Sequence, residues 1–174
     1  MFKKRGQIWV ETVVYTLIGL TIIGVLLGVA TPKIKSYTDK VVIEQTTIIL
    51  EDIDSKISEI SVASGNSRRV ELRIKSGEFL ISPAQSSIIF SLKESNLRYS
   101  EPGETLNPGT VSIKTEDNNG KYDITLFLNY TGINLTYNGM NQDYRAIQAS
   151  TPYYFLIKNN GFNNNIQNID IVPV

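Results

Sequence analysis

The sequence predicts an α+β protein: a long N-terminal helix, first hydrophobic and then amphipathic, followed by a C-terminal antiparallel β-sheet head. Three observations predict this fold. The 21 residues from Thr12 to Pro32 carry no charged side chain. Apolar residues then recur at helical spacing over residues 43–60. After Gly65 the chain breaks into short alternating runs separated by Gly, Pro and Asn. The expected divisions are a short basic segment over 1–6, a helix over 7–64 (apolar over 7–32, amphipathic over 33–64) and a head over 66–174.

The uncharged run is long enough to cross a bilayer. At about 1.5 Å per residue it would extend roughly 31 Å as a helix, close to the thickness of the hydrocarbon core. Lys3, Lys4 and Arg5 precede it, and such a basic cluster holds an N-terminus on the cytoplasmic side. Glu11 lies at the entrance to the run, where an ionised carboxylate is costly unless it reaches water or a partner.

Small residues within the apolar run favour contact between helices. Gly24 and Gly28 have the spacing that lets two helix backbones approach closely in lipid. Pro32 removes one backbone donor and is expected to kink or loosen the helix before its aqueous half.

The aqueous half has one apolar row. Ile43, Leu50 and Ile57 are spaced by seven, and Ile53 and Ile60 continue a companion row. This row could dock a β head, or it could form a short coiled coil. Residues 64–66, Ser-Gly-Asn, are expected to end the helix.

The second segment is expected to form antiparallel strands. Val70, Leu72 and Ile74 alternate with charged residues, which is typical of a strand with one buried face. The other predicted strands are 79–81, 87–93, 110–115, 121–130, 133–137, 153–158 and 166–172. Asn-Gly pairs at 119–120 and 138–139 predict tight hairpins. Residues 101–109 predict a loop, and the asparagine-rich stretch 159–168, with a further Asn-Gly pair at 160–161, predicts a longer exposed loop.

Composition excludes several classes of function. The chain has no cysteine and no histidine, which removes disulfides, thiolate chemistry, Ser-His-Asp machinery and the commonest metal ligand. Its 17 basic and 17 acidic residues become 14 and 17 once Met1–Gly6 is removed, so no basic field for nucleic acid remains. We therefore expect neither an enzyme nor a nucleic-acid-binding protein, and no cofactor or metal.

The N-terminus resembles an archaeal type IV prepilin with a class III signal peptide. In that family a membrane peptidase cuts after a glycine that follows basic residues, and the mature helix carries a glutamate at its fifth position. Here Lys4, Arg5 and Gly6 precede Gln7, and Glu11 is the fifth residue counted from Gln7. A mature N-terminal glutamine is common in archaeal pilins, whereas archaellin-type subunits lack the Gln-x-x-x-Glu pattern. The resemblance covers roughly residues 1–35.

The resemblance implies a structural subunit of an extracellular filament used for adhesion or contact. The precursor would wait in the cytoplasmic membrane until prepilin peptidase, an assembly ATPase and a polytopic platform protein incorporate it into a helical homopolymer on the cell surface. The residues implied for processing are Lys4, Arg5, Gly6 and Gln7, with cleavage after Gly6. Those implied for assembly are Glu11, whose carboxylate would neutralise a neighbour's freed amine, together with Gly24, Gly28 and Pro32.

Alternative readings remain open. An ordinary secretory signal would be cut near Gly28-Val29-Ala30, and a plain single-pass anchor would keep Met1. Either would make the chain a secreted or membrane-anchored β-rich binding module that does not polymerise. In the head, Asn129 and Asn134 each begin an N-x-Thr sequon and are candidate N-glycosylation sites. Residues 117–121 share part of a calcium-loop pattern, but Lys121 occupies a ligand position and a hairpin turn is favoured.

Overall fold

The computed structural model describes residues 3–174, and their side chains from Trp9 onward. It confirms the predicted α+β class, with one long helix followed by a β-rich head. Helix α1 spans Lys3–Ser61 and runs on through Pro32. In the described chain ten strands follow: β1 Ser67–Leu72, β2 Glu78–Ser82, β3 Ser87–Ser95, β4 Thr105–Leu106, β5 Ser112–Asn118, β6 Lys121–Asn129, β7 Ile133–Tyr137, β8 Tyr144–Ile147, β9 Tyr153–Asn163 and β10 Ile166–Pro173.

The strands form two sheets. The four-stranded sheet has the order β1-β9-β10-β7, and the six-stranded sheet has the order β4-β5-β6-β3-β2-β8. Ladders in both sheets are antiparallel except the pairing of β10 with β7, which is parallel. The parallel pair departs from the expected all-antiparallel head. It arises because β10 returns beside β7 through the intervening strands β8 and β9 rather than through a hairpin.

The apolar row of the aqueous half is buried against the head, as expected. Ile43, Leu50 and Ile60 have no exposed surface. Ile53 lines a small apolar void together with Val70 of the four-stranded sheet and Phe79 of the six-stranded sheet. The helix therefore closes the core between both sheets, and this row is not available for a coiled coil.

The carbonyl groups at the end of α1 are capped from distant strands. The side-chain amide of Asn159 donates to the carbonyl oxygens of Ile60 at 2.7 Å and Ala63 at 3.1 Å. Gln167 donates to the carbonyl of Ser61 at 3.2 Å. Gly65 follows at φ +88°, so the predicted Ser-Gly-Asn stop is used, but the orphan carbonyls of the last turn are satisfied by the head.

The expected exposed loop over 159–168 is wrong. Strand β9 continues to Asn163, and Asn164 and Asn165, both at positive φ, form a two-residue turn into β10. Asn159 is buried because its amide caps the helix. Gly161 is not a hairpin turn: it lies inside β9 with φ +86°, where Ser64 Oγ is 3.1 Å from the position of an added Cβ.

Other turns match the sequence more closely. The Asn-Gly pairs at 119–120 and 138–139 both have positive φ at each residue, which is the conformation of a tight hairpin. The first joins β5 to β6, so residues 117–121 form the expected turn rather than a calcium loop. Two short strands were not predicted: β4, within the expected loop 101–109, and β8 at an edge of the six-stranded sheet.

An aromatic cluster joins the edges of the two sheets. The rings of Tyr137 on β7 and Tyr144 on β8 are stacked, with centroids 4.2 Å apart and planes 15° apart. Phe155 on β9 meets Tyr144 edge-on at 5.8 Å. Because β7 and β9 belong to one sheet and β8 to the other, these contacts hold the sheet edges together.

A buried carboxylate fixes the helix where it enters the head. Asp39 is 6% exposed, and its Oδ2 accepts hydrogen bonds from Ser95 Oγ at 2.7 Å and from the backbone N–H of Asn96 at 3.2 Å. Ser95 Oγ in turn accepts from the backbone N–H of Leu97 at 2.9 Å. This network ties the helix to the segment that follows β3.

Candidate functional site

The N-terminal half of α1 is an exposed apolar surface. Its most apolar 18-residue stretch has mean hydropathy 2.4 and none of its residues is buried in the chain. Within the described residues α1 is one helix that is long and apolar enough to cross a membrane. The exposed large apolar side chains of this half are Trp9, Val10, Val13, Val14, Tyr15, Leu17, Ile18, Leu20, Ile22, Ile23, Val25, Leu26, Leu27 and Val29. A surface of this size requires lipid or protein to cover it.

Three threonine hydroxyls along this half are hydrogen-bonded within the helix. The hydroxyls of Thr16, Thr21 and Thr31 donate to the carbonyls four residues earlier, at 2.8, 2.8 and 2.7 Å. Each hydroxyl proton is therefore satisfied within the helix. Glu11 is exposed on the helix surface, where its carboxylate can meet a group from outside the chain.

The two glycines of the small-residue pattern are open to a neighbour. A Cβ added at Gly24 or at Gly28 would meet no heavy atom within 4 Å. No part of the head covers them, so a second helix can approach the backbone closely at this level. Pro32 lies eight residues beyond Gly24 and α1 continues past it to Ser61.

The predicted processing residues fall outside the described side chains. The helix begins at Lys3, so the backbone at Lys4, Arg5, Gly6 and Gln7 is helical, while Met1 and Phe2 lie outside the described residues. The proposed cut after Gly6 therefore stays a prediction from the sequence.

A second exposed apolar stripe, which the sequence analysis did not single out, lies on the aqueous half of α1. It consists of Ile34, Tyr37, Val41 and Ile48, which are 64%, 72%, 47% and 65% exposed. We refer to these four residues as the outward stripe. Their spacing of three, four and seven is visible in the sequence, but the helix was predicted from the more regular row through Ile43 and Leu50.

The two sequons differ in how their side chains are engaged. Asn129 is exposed at the end of β6. Asn134 is also exposed, but its amide donates to Asn168 Oδ1 at 2.8 Å, and Thr136 of its sequon donates to Asp170 at 2.7 Å.

The neighbouring Tyr130 hydroxyl is buried, and burial together with the nearby Asp54 carboxylate raises the pKa of Tyr130. That hydroxyl therefore stays protonated under physiological conditions.

Within the described residues no group of three or more Asp and Glu side chains is arranged to hold a metal ion. Comparisons with protein-family models, with curated proteins and with solved structures found no match to this chain.

Proposed function

We propose that this chain is a structural subunit of an extracellular, archaeal type IV pilus-like filament that serves adhesion or contact at the cell surface. One observation carries the proposal: a single helix, α1, has an exposed apolar first half and a second half embedded in a β head. This arrangement suits a subunit whose first half is covered by other subunits while its head faces outward. The prepilin-like pattern from Lys4 to Glu11 supports it.

In the proposed cycle the membrane serves as a store of subunits. Transfer from lipid to filament exchanges helix–lipid contacts for helix–helix contacts, so the burial of apolar surface changes little. Close packing at Gly24 and Gly28, together with charge pairing, then selects the filament. The proposed partners are further copies of the chain, prepilin peptidase, an assembly ATPase and a platform membrane protein.

The first test determines the mature N-terminus by mass analysis. A start at Gln7 supports the proposal, a start at Thr31 indicates an ordinary secretory signal, and a start at Met1 indicates a plain anchor. A bulky replacement such as Gly6→Phe should leave the precursor uncleaved, because the peptidase needs a small, flexible residue there. Normal processing of this variant would contradict the assignment of Gly6.

The second test concerns Glu11. In the proposed filament its carboxylate pairs with the freed amine of Gln7 on a neighbouring subunit, an attraction that is strong in a low dielectric. Glu11→Ala should be cleaved and inserted normally but should form no filaments in electron micrographs. Glu104→Ala, which removes an exposed carboxylate from the head, is the matched control and should assemble normally. Filaments of Glu11→Ala at the wild-type level would exclude the pairing role.

A further inference from the structure

We propose that neighbouring copies pack their α1 helices in parallel with an axial offset of 18 residues. In this arrangement residues 16–30 of the outer copy cover the outward stripe of the inner copy. The inference rests on the proposed function and adds the partner segment and its register. Two features of α1 are satisfied together at this offset: the outward stripe is covered by an uncharged segment, and Lys33 lies beside Glu51.

The outward stripe is an apolar surface that the chain itself leaves uncovered. At about 100° per residue, its four members fall within about 60° of arc around the helix axis. The buried row through Ile43 and Leu50 lies on the opposite side, against the head. The stripe therefore points away from the head, toward the space that a neighbouring helix would occupy.

Lys33 and Glu51 are two of the α1 charges that form no ion pair among the described side chains. Lys40 pairs with Glu44 at 3.7 Å, Asp52 with Lys56 at 2.5 Å, and Glu59 with Arg68 at 2.9 Å. By contrast, Lys33 and Glu51 are exposed, and neither has an ion-pair partner among the residues whose side chains are described; the same holds for Glu11 and Lys35. Lys33 and Glu51 are therefore within reach of a second copy, and the Glu51 carboxylate lies at the edge of the head beside Gly109.

These two charges stand 18 residues apart, which is five turns at 3.6 residues per turn, so they project from the same side of α1. An offset of 18 residues, or about 27 Å, brings Lys33 of the outer copy beside Glu51 of the inner copy. The same offset brings residues 16–30 beside residues 34–48. Residues 16–30 are uncharged and exposed on nearly every side, so they can cover the stripe whatever the rotation of the outer helix.

Glu44 lies between Val41 and Ile48 on the outward side of the helix and would face the apolar segment of the neighbour. Its ion pair with Lys40 compensates its charge, and both side chains are long enough to carry their polar ends to the rim of the contact. One offset therefore covers the apolar stripe and brings Lys33 beside Glu51.

Cross-linking in filaments of the full chain tests this offset directly, because the protein has no cysteine of its own. The double variant Lys33→Cys/Glu51→Cys should give a ladder of disulfide-linked oligomers after mild oxidation. A bond within one chain is impossible, since the helix holds these positions about 27 Å apart and a disulfide needs Cα atoms within about 7 Å. Lys33→Cys/Ser58→Cys, displaced by about two turns, is the matched control and should give no ladder.

A second variant tests the stripe without relying on cysteine. Ile48→Glu places a charge in the proposed contact and should lower the number of filaments per cell by at least about tenfold, because burying an unpaired charge costs far more than the 1.4 kcal/mol that a factor of ten represents. Ile147→Glu is matched, since Ile147 is 59% exposed on the head and Ile48 is 65% exposed. This control should assemble normally, and both variants should be processed normally.

The outcomes separate this register from the proposed function. Suppose that the wild-type chain forms filaments. A missing ladder from the 33/51 pair, or normal assembly of Ile48→Glu, would then overturn the register and leave the proposed function standing. A chain that begins at Met1 or Thr31 and forms no filament would overturn the proposed function, and the register with it.

Discussion

Replacing Asp39 with alanine should destabilise the attachment of the helix to the head. The variant removes two hydrogen bonds to a buried carboxylate, from Ser95 Oγ and from the N–H of Asn96. A hydrogen bond to a charged group contributes about 1.5–3 kcal/mol, so for two such bonds we expect a loss of about 3–6 kcal/mol. Asp39→Asn keeps a neutral acceptor and should lose less, about 1–2 kcal/mol.

The measurement is chemical unfolding of the full chain in detergent micelles, followed by near-ultraviolet circular dichroism of the head tyrosines. Asp52→Ala is the matched control, because Asp52 lies on the same helix in an exposed ion pair with Lys56 and should cost less than about 1 kcal/mol. A double-mutant cycle with Ser95→Ala should give a coupling above about 0.5 kcal/mol. An Asp39→Ala variant whose free energy of unfolding lay within about 0.5 kcal/mol of wild type would show that the Asp39 carboxylate does not hold the helix to the head.

Two further predictions concern the head. Gly77→Ala should lower the free energy of unfolding by about 2–5 kcal/mol, because Gly77 has φ +83° and an added Cβ would lie 2.6 Å from the Phe90 ring. The control Gly120→Ala, at φ +79° in open space, should lower it by only about 1–2 kcal/mol. Equal losses of unfolding free energy in the two variants would contradict the clash with Phe90. Burial and the neighbouring Tyr144 hydroxyl raise the pKa of Tyr137 to about 12. Between about pH 10 and 12 the Tyr137 hydroxyl therefore keeps its proton in the folded protein and loses it in the unfolded chain. The stability that this protonation contributes is present below pH 10 and is lost between about pH 10 and 12. In NMR titration of ring-labelled tyrosine, Tyr144→Phe should move the pKa of Tyr137 downward, and an unchanged value would show that Tyr144 has no such effect.

Local patterns in the sequence predicted the parts of the fold that depend on neighbours along the chain. The row through Ile43, Leu50 and Ile57 follows helical spacing, so its burial could be expected. The Asn-Gly pairs at 119–120 and 138–139 adopt the positive φ values that such pairs favour.

The errors occur where a residue's role depends on a distant partner. Asn159 lies in a polar, asparagine-rich stretch that is typical of a loop, but its amide caps the carbonyl of Ile60, 99 residues away. Strand β8 has four residues and lies at a sheet edge, so it has little alternation to detect. The parallel pairing of β7 with β10 has no local signal at all.

The candidate site also has features that the sequence predicted and features that only the structure reveals. The apolar run, Glu11 and the glycine spacing are properties of the sequence, and the proposed leader with its predicted cut after Gly6 is inferred from the sequence alone. The outward stripe becomes visible only once the head is seen to cover the opposite side of α1. Only the structure likewise shows that Lys33 and Glu51 have no ion-pair partner among the described side chains.

The position of β10 imposes an order of events on biogenesis. This strand lies in the interior of the four-stranded sheet, between β9 and β7, and β9 in turn pairs with β1. The sheet therefore cannot close until residues 153–173 have arrived, although α1 is complete and able to enter the membrane long before. In the proposed precursor, the anchor is seated while the head is still an unfolded chain on the far side of the bilayer. The strands awaiting partners would then be exposed to proteases and to other chains for the whole of that interval.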